Sequence, residues 1–268
     1  MDILTAENIY GLLESGSIPY RISVYDILTS TSTFAREAAE KGAPEGTVII
    51  ARSQTEGRGR KVGRRFHSPS DTGLYMSVVL RPNGGYESFL RITTAAAVAV
   101  CRAIKKETGR SPRIKWVNDI LLEGKKVCGI LTEGAFSSDG SGLSYAVLGV
   151  GVNVYPPQDG FPSELEDIAG SVSESVDPTL ISRLAAAFLN EFSLLYREGG
   201  YMDEYRSLSS VVGKPVRIYR QPPAEGITEA TPCEDAFAYG IDDDCRLLVR
   251  FPDGREEALF SGEISVRT

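Results

Sequence analysis

The chain has 268 residues, 42% of them hydrophobic and 24% charged, with a formal net charge of −7. That length holds one full-sized domain and a smaller one, with the composition of a globular protein. No run of about 18 apolar residues exists, which excludes a membrane-spanning helix; the acidic, glycine-broken start MDILTAENIYGLLESG is unlike a signal peptide, and the acidity argues against a broad nucleic-acid-binding face.

After a short opening segment, TSTFAREAAEKGAP reads as a helix capped by Ser32 or Thr33 and stopped by Gly42 and Pro44. TVIIA at 47–51 is a β-branched run that suits a buried strand. It is followed by RSQTEGRGRKVGRRFHSPS, which sets Arg52, Arg58, Arg60, Lys61, Arg64 and Arg65 against the single acid Glu56. A loop of this length without internal periodicity is functional or disordered. Three readings stay open for it: nucleic-acid binding, a solvated loop, or closure over a small anion. LYMSVVL alternates as a strand, and residues 89–109 form an alanine-rich helix ending in lysines and then glycine.

RIKWV, ILLEGKKVCGILTEG and SYAVLGVGVNV supply three or four further strands, with a hairpin turn at Glu123-Gly124. Apolar residues at helical spacing, Leu180, Leu184, Phe188, Phe192 and Leu195, predict a helix over 177–200, capped by Asp177 with Pro178 in the first turn. A short helix near YMDEYRSLSS leads to Gly213, after which short strands divided by Pro, Gly and Asp turns mark a small β-barrel-like domain. The boundary falls near residue 211, giving units 1–211 and 212–268.

The chemistry is narrowed by what is missing. Cys101, Cys128, Cys233 and Cys245 are scattered, and His67 is the only histidine. No metal-ligand cluster is therefore expected, and the thiols should be free in a reducing cytoplasm. There is no P-loop and no nucleophile elbow, and GVGVN is only a weak echo of a dinucleotide fingerprint. What remains is a polar set near strand ends: Gln54, Arg58, Arg60, Lys115, Asn118, Asp119, Lys126 and Asn153. Rich in cations and amides and poor in nucleophiles, it suits a substrate that brings its own nucleophile to a phosphate.

In register, these motifs resemble the biotin–protein ligases. The family's Gly-Arg-Gly-Arg loop stands as Gly57-Arg58-Gly59-Arg60 after Gln54, and its Lys-Trp-Pro-Asn-Asp motif as Lys115-Trp116-Val117-Asn118-Asp119. Lys126 follows at the family's spacing, then VCGIL and GVGVN ending at Asn153; the likeness covers about 20–268. Three positions depart from the pattern: Ser32 replaces an asparagine, Val117 a proline, and Phe66 a tryptophan that stacks on adenine.

The resemblance implies an α+β fold, a mixed sheet with helices packed on it as in class II aminoacyl-tRNA synthetases, plus an SH3-like C-terminal barrel. It implies ATP and biotin as substrates with Mg²⁺, biotinyl-AMP as intermediate, and a biotin carboxyl carrier protein as partner. By it, Ser30, Thr31, Ser32 and Gln54 serve biotin's ureido group. Arg58, Gly59, Arg60 and Lys126 serve its carboxylate and the phosphate; Phe66, Asn118 and Asn153 serve the nucleotide. Lys115 and Asp119 complete the catalytic set, Asp119 either activating the acceptor lysine or steadying a cation, with Trp116 as pocket wall. Too few residues precede the ligase core for the family's DNA-binding domain, so DNA is not expected as a partner; a homodimer is allowed. The rivals are a lipoate–protein ligase, which shares the fold and the two-step logic, and nucleic-acid binding through the arginine-glycine loop.

Overall fold

The computed structural model describes residues 4–59, 65–137, 142–220, 231–260 and 263–266. Its first sheet has seven strands in the order β1-β2-β3-β7-β6-β5-β4. These are β1 Arg21–Leu28, β2 Thr47–Gln54, β3 Gly73–Leu80, β4 Arg113–Lys115, β5 Asp119–Leu122, β6 Lys125–Phe136 and β7 Leu143–Asn153. Only β1 and β2 run parallel; the other pairs are antiparallel, so the sheet is mixed. Glu123 and Gly124, both at positive φ, make the predicted hairpin turn between β5 and β6.

One face carries α1 Ala6–Tyr10, α3 Glu87–Thr108 and α4 Leu180–Glu198. Alanines at 95–97 and 185–187 keep the facing sides of α3 and α4 slim, and the main core forms between these helices and Val48, Ile50, Leu74, Met76, Cys128, Ile130, Leu148, Val150 and Val152. Helix α3 ends as predicted, on a left-handed Gly109 whose N–H returns to the Lys105 carbonyl. Among the described residues the opposite face carries only α2 Thr31–Glu40, which packs through Ala35 and Ala39 on Ile49, Val79, Tyr145 and Val147. That helix covers part of the face; the remainder is open, and the candidate site lies there.

Several local expectations are corrected. Helix α2 begins at Thr31, with Ser30 rather than Ser32 or Thr33 at the N-cap position and no side-chain cap bond. Helix α4 begins at Leu180 after Thr179; Asp177 instead accepts from the Thr179 N–H and hydroxyl ahead of the first turn. Strand β3 shows no alternation, because both faces are covered and all eight of its residues are buried. The RIKWV strand stops at Lys115, and Trp116 to Asn118 form a turn with a cis peptide between Trp116 and Val117. Strand β1 went unpredicted: as an edge strand it buries only Ile22 and Val24 stays half-buried, so its alternation is faint.

A short helix, α5 Met202–Leu208, leads to a five-stranded antiparallel sheet ordered β11-β10-β9-β8-β12. Its strands are β8 Lys214–Tyr219, β9 Glu234–Ile241, β10 Leu247–Arg250, β11 Glu256–Leu259 and β12 Glu263–Val266. This is the small C-terminal β unit expected; among the described residues β11 and β12 are its edges and do not pair with each other to close a barrel. No helix among the described residues is long and apolar enough to cross a membrane.

Candidate functional site

The open face forms a cleft enclosing about 470 Å³ of empty space, open solvent included. Its floor is made by glycines. Gly149 and Gly151 share the cleft face of β7, and Gly129 meets them from β6. Side chains are excluded there: a Cβ on Gly149 would lie 2.7 Å from Ser32 Oγ, and one on Gly151 would lie 2.7 Å from the Phe66 ring.

One wall is a hydrogen-bond relay. The Gln54 carbonyl oxygen accepts from the Thr31 N–H at 2.8 Å and the Thr31 hydroxyl at 3.1 Å. Having donated to Gln54, Thr31 accepts from the Ser77 hydroxyl at 2.9 Å, so the 3.1 Å contact between Ser32 and Ser77 has Ser32 as donor. Gln54 in turn donates through Nε2 to Ser68 Oγ at 2.9 Å, and Ser68 donates to the Phe66 carbonyl. Every hydroxyl proton of Ser32, Ser77 and Thr31 is thus committed toward Gln54, which leaves lone pairs available. Ser30 stands just before this wall, and its buried Oγ has no hydrogen-bond partner among the described residues.

The other wall follows from a bulge. Leu121 pairs with Lys126 but Ile120 with Cys128, so Val127 is an extra residue in β6. The phase shift sets Lys126 on the same face as Gly129, Leu131 and Glu133, while Val127, Cys128 and Ile130 all stay buried. Lys125 points elsewhere, donating to the Glu166 carbonyl, as strand alternation predicts. The Lys126 ammonium lies 2.6 Å from the Asp119 carboxylate. Its backbone is fixed by the 168–170 segment, to Ile168 O at 2.7 Å and from the Gly170 N–H at 2.9 Å. Cys128 beside it is no nucleophile, since burial pushes its thiol well above the ordinary range.

The basic loop closes the third side. Its base is a short ladder in which Arg58 bridges Arg65 and the Phe66 N–H donates to Gly57 O at 2.9 Å. Arg58 extends over the cleft to an ion pair with Glu133 at 3.1 Å. Phe66 lies over Gly129 and Gly151 and meets Tyr75 edge-on at 6.3 Å. Arg52 is absorbed structurally: it donates to the Leu4 carbonyl and pairs with Asp26 and Asp71. Arg60, Lys61 and Arg64 lie outside the described residues.

The cleft therefore gathers Thr31, Ser32, Gln54, Arg58, Gly59, Phe66, Asn118 and Lys126, with Asp119 behind Lys126. Ser30, Lys115 and Asn153 do not line it. Lys115 sits opposite Asp119 in the β4–β5 ladder. Asn153 donates from its amide to Gly170 O, and Asn118 to Ile130 O at 2.8 Å. Trp116, expected as pocket wall, is buried away from the cleft. Sequence reasoning missed Ser77, Ser68, Tyr75 and Glu133. Ser77 carried a signal, being the one small polar residue inside the apolar run of β3.

Residues 24–153 match the biotin/lipoate A/B protein ligase family, and residues 236–267 match the biotin protein ligase C-terminal domain. The bifunctional ligase/repressor BirA of Bacillus spizizenii is 35% identical over 247 residues, covering 90% of this chain and 72% of that protein. A biotin–[acetyl-CoA-carboxylase] ligase of Paracoccus denitrificans is 33% identical over 231 residues, covering 80% of this chain and 90% of that protein. In fold, the chain superposes on the Aquifex aeolicus biotin protein ligase in complex with biotin and ATP with a TM-score of 0.71 at 23% identity, over 93% of this chain and 99% of that one. The chain belongs to the biotin/lipoate A/B protein ligase family, among its biotin protein ligases.

Proposed function

We propose that the protein is an ATP-dependent ligase that activates biotin as biotinyl-5′-AMP and transfers it to a lysine of a biotin carboxyl carrier protein. Units 1–211 and 212–268 are its catalytic and C-terminal parts. The observation that carries this reading is the pairing of two cations, Arg58 and Lys126, with a wall of small hydroxyls across a side-chain-free floor. No activated nucleophile is needed, because biotin's carboxylate is one already. Its oxygen attacks the α-phosphorus, the new P–O bond forms, and the bond to pyrophosphate breaks. The carrier amine then attacks the acyl carbon, AMP leaves, and the surplus amine proton passes to solvent.

In this reading the lone pairs of Thr31 and Ser32 accept from the ureido N–H groups, and Ser30 Oγ gains the partner it lacks within the protein. Lys126 faces both the carboxylate and the α-phosphate, and Arg58 exchanges Glu133 for a substrate anion. Asp119 steadies Lys126, a role its 2.6 Å contact supports over activation of the acceptor. Phe66 gives the nucleotide an aromatic edge, and Arg60 is assigned to the phosphate by sequence alone. Asn118 and Asn153 serve the nucleotide by holding the strand ends beside it. Lys115 adds positive charge to the same end of the sheet.

Among the described residues no group of three His, Cys, Asp or Glu side chains is arranged to hold a metal. Mg²⁺ would be held chiefly by the oxygens of the triphosphate it accompanies.

The test is direct. With ATP, Mg²⁺, labelled biotin and a carrier domain, the carrier becomes labelled, and biotin drives exchange between pyrophosphate and ATP. Absence of both overturns the reading. Unlabelled lipoate competing as well as unlabelled biotin transfers the assignment to lipoate ligation.

A further inference from the structure

Asp119 opens the four-residue β5, whose outer neighbour β4 has only three residues, and faces Lys126 near the start of the longer β6. Asp119 is paired on both sides, with Lys115 of β4 and Gly129 of β6, and the turn 116–118 that feeds β5 is fixed by further bonds. Two are local: the Asn118 amide donates to Ile130 O, and the Ile130 N–H donates to Asn118 O at 3.0 Å. Two come from outside the first sheet. The Tyr205 hydroxyl of α5 donates to the Val117 carbonyl at 3.1 Å, and the Trp116 indole N–H donates to the Cys245 carbonyl at 3.0 Å; both bonds are buried.

Cys245 belongs to the turn between β9 and β10 of the C-terminal sheet, and that turn is stiff. One Asp242 carboxylate oxygen accepts from the Asp244 N–H at 3.1 Å and the Arg246 N–H at 2.9 Å, and the other from Arg246 Nε at 2.6 Å. Cys245 takes a left-handed φ of 65°, and its thiol is buried against Thr94 of α3 and Met202 of α5. Its carbonyl is held by this framework where the indole meets it. A buried carbonyl that loses its donor is costly, so the two parts are tied at this point.

We infer that Trp116 is a positioning residue for the Asp119–Lys126 pair, and that the β9–β10 turn supports the active site through it. The inference rests on the ligase reading above and adds a defined job for the C-terminal sheet in the chemical step. Trp116 touches no substrate in this account; it acts through the turn that places Asp119.

The experiment uses the full chain and three variants. Trp116→Phe keeps an aromatic ring and removes only the N–H donor. It should lower kcat for biotin-dependent pyrophosphate exchange about tenfold, the scale of one buried hydrogen bond, with KM for biotin nearly unchanged. Asp242→Ala dissolves the turn from a distance and should lower kcat likewise. Asp242→Asn, which keeps the acceptor for both N–H groups, should restore it. The double variant Trp116→Phe with Asp242→Ala should be no worse than the more damaged single variant, because both remove one path.

The chain's single tryptophan supplies a spectroscopic readout. Asp242→Ala should shift Trp116 emission to longer wavelength as water reaches the indole, and Asp242→Asn should not. If Trp116→Phe fails to fold, the Asp242 pair decides alone. Wild-type kcat in Trp116→Phe, or in Asp242→Ala with shifted emission, overturns the inference while leaving the ligase reading intact. A wild-type protein without biotin-dependent exchange overturns the ligase reading itself.

Discussion

Lys126→Ala is the substitution whose size can be worked from the geometry. The ammonium is asked to offset repulsion between a carboxylate and a phosphate meeting about 4 Å from it, worth ~4 kcal/mol at an effective dielectric of 20 and ~1 kcal/mol in bulk water. With 38% of its side chain exposed, Lys126 lies between these limits. A rise of about 2–4 kcal/mol in the adenylation barrier follows, roughly a 30- to 1,000-fold fall in kcat/KM at 1.4 kcal/mol per tenfold. The same deletion leaves the Asp119 carboxylate facing the incoming anions uncompensated. Lys126→Ala with Asp119→Asn should therefore recover part of the loss, about three- to tenfold. Folding should be little affected, since a partly exposed ion pair contributes about 1 kcal/mol or less, or about 4 °C in Tm at most. The assay is biotin-dependent pyrophosphate exchange on variants matched by thermal melting. Exchange at the parent's rate in Lys126→Ala removes the lysine from the chemistry, and a double variant no faster than the single one refutes the electrostatic coupling to Asp119.

Gln54→Ala removes the acceptor of both Thr31 donors and the donor to Ser68. It should destabilise the protein by about 1–3 kcal/mol and raise KM for biotin about tenfold or more; steady-state kinetics beside a urea melt checks both. Gly151→Ala places a Cβ 2.7 Å from the Phe66 ring and should weaken biotin binding by calorimetry, whereas Gly240→Ala, whose nearest neighbour is Leu248 at 3.5 Å, should not. Arg220 holds the Glu257 and Glu234 carboxyls below the ordinary range, with Arg255 also acting on Glu234. Because the folded values are depressed, this stabilisation is present above the unfolded carboxylate value of about 4.3 and is lost as pH falls below it. Melting temperature recorded from pH 6 to pH 3 should fall less steeply in Arg220→Ala than in the parent.

How much of this was readable from residues alone depends on the range of the interactions involved. Helix α3 and the Glu123-Gly124 hairpin were legible because periodicity, a glycine stop and turn chemistry are encoded within a few residues. The helix starts were misjudged for the complementary reason. Near Thr31, several small polar residues can each cap, and the choice fell to Gln54 and Ser77, which approach from other strands. Lys126 was found by motif register, yet its orientation depends on the bulge at Val127, and a bulge is a property of two paired strands.

Trp116 marks where local reading fails and why. Its neighbours in sequence are site residues, which suggested a pocket wall; its hydrogen-bond partner lies 129 positions away in the second sheet. A buried indole N–H must find an acceptor, so the sequence does announce that a partner exists. Which carbonyl supplies it is settled only when β9 and β10 close their turn around Asp242. The motif from Lys115 to Asp119 thus serves two purposes at once: its polar end furnishes the cleft, and its aromatic end fastens that cleft to the C-terminal sheet.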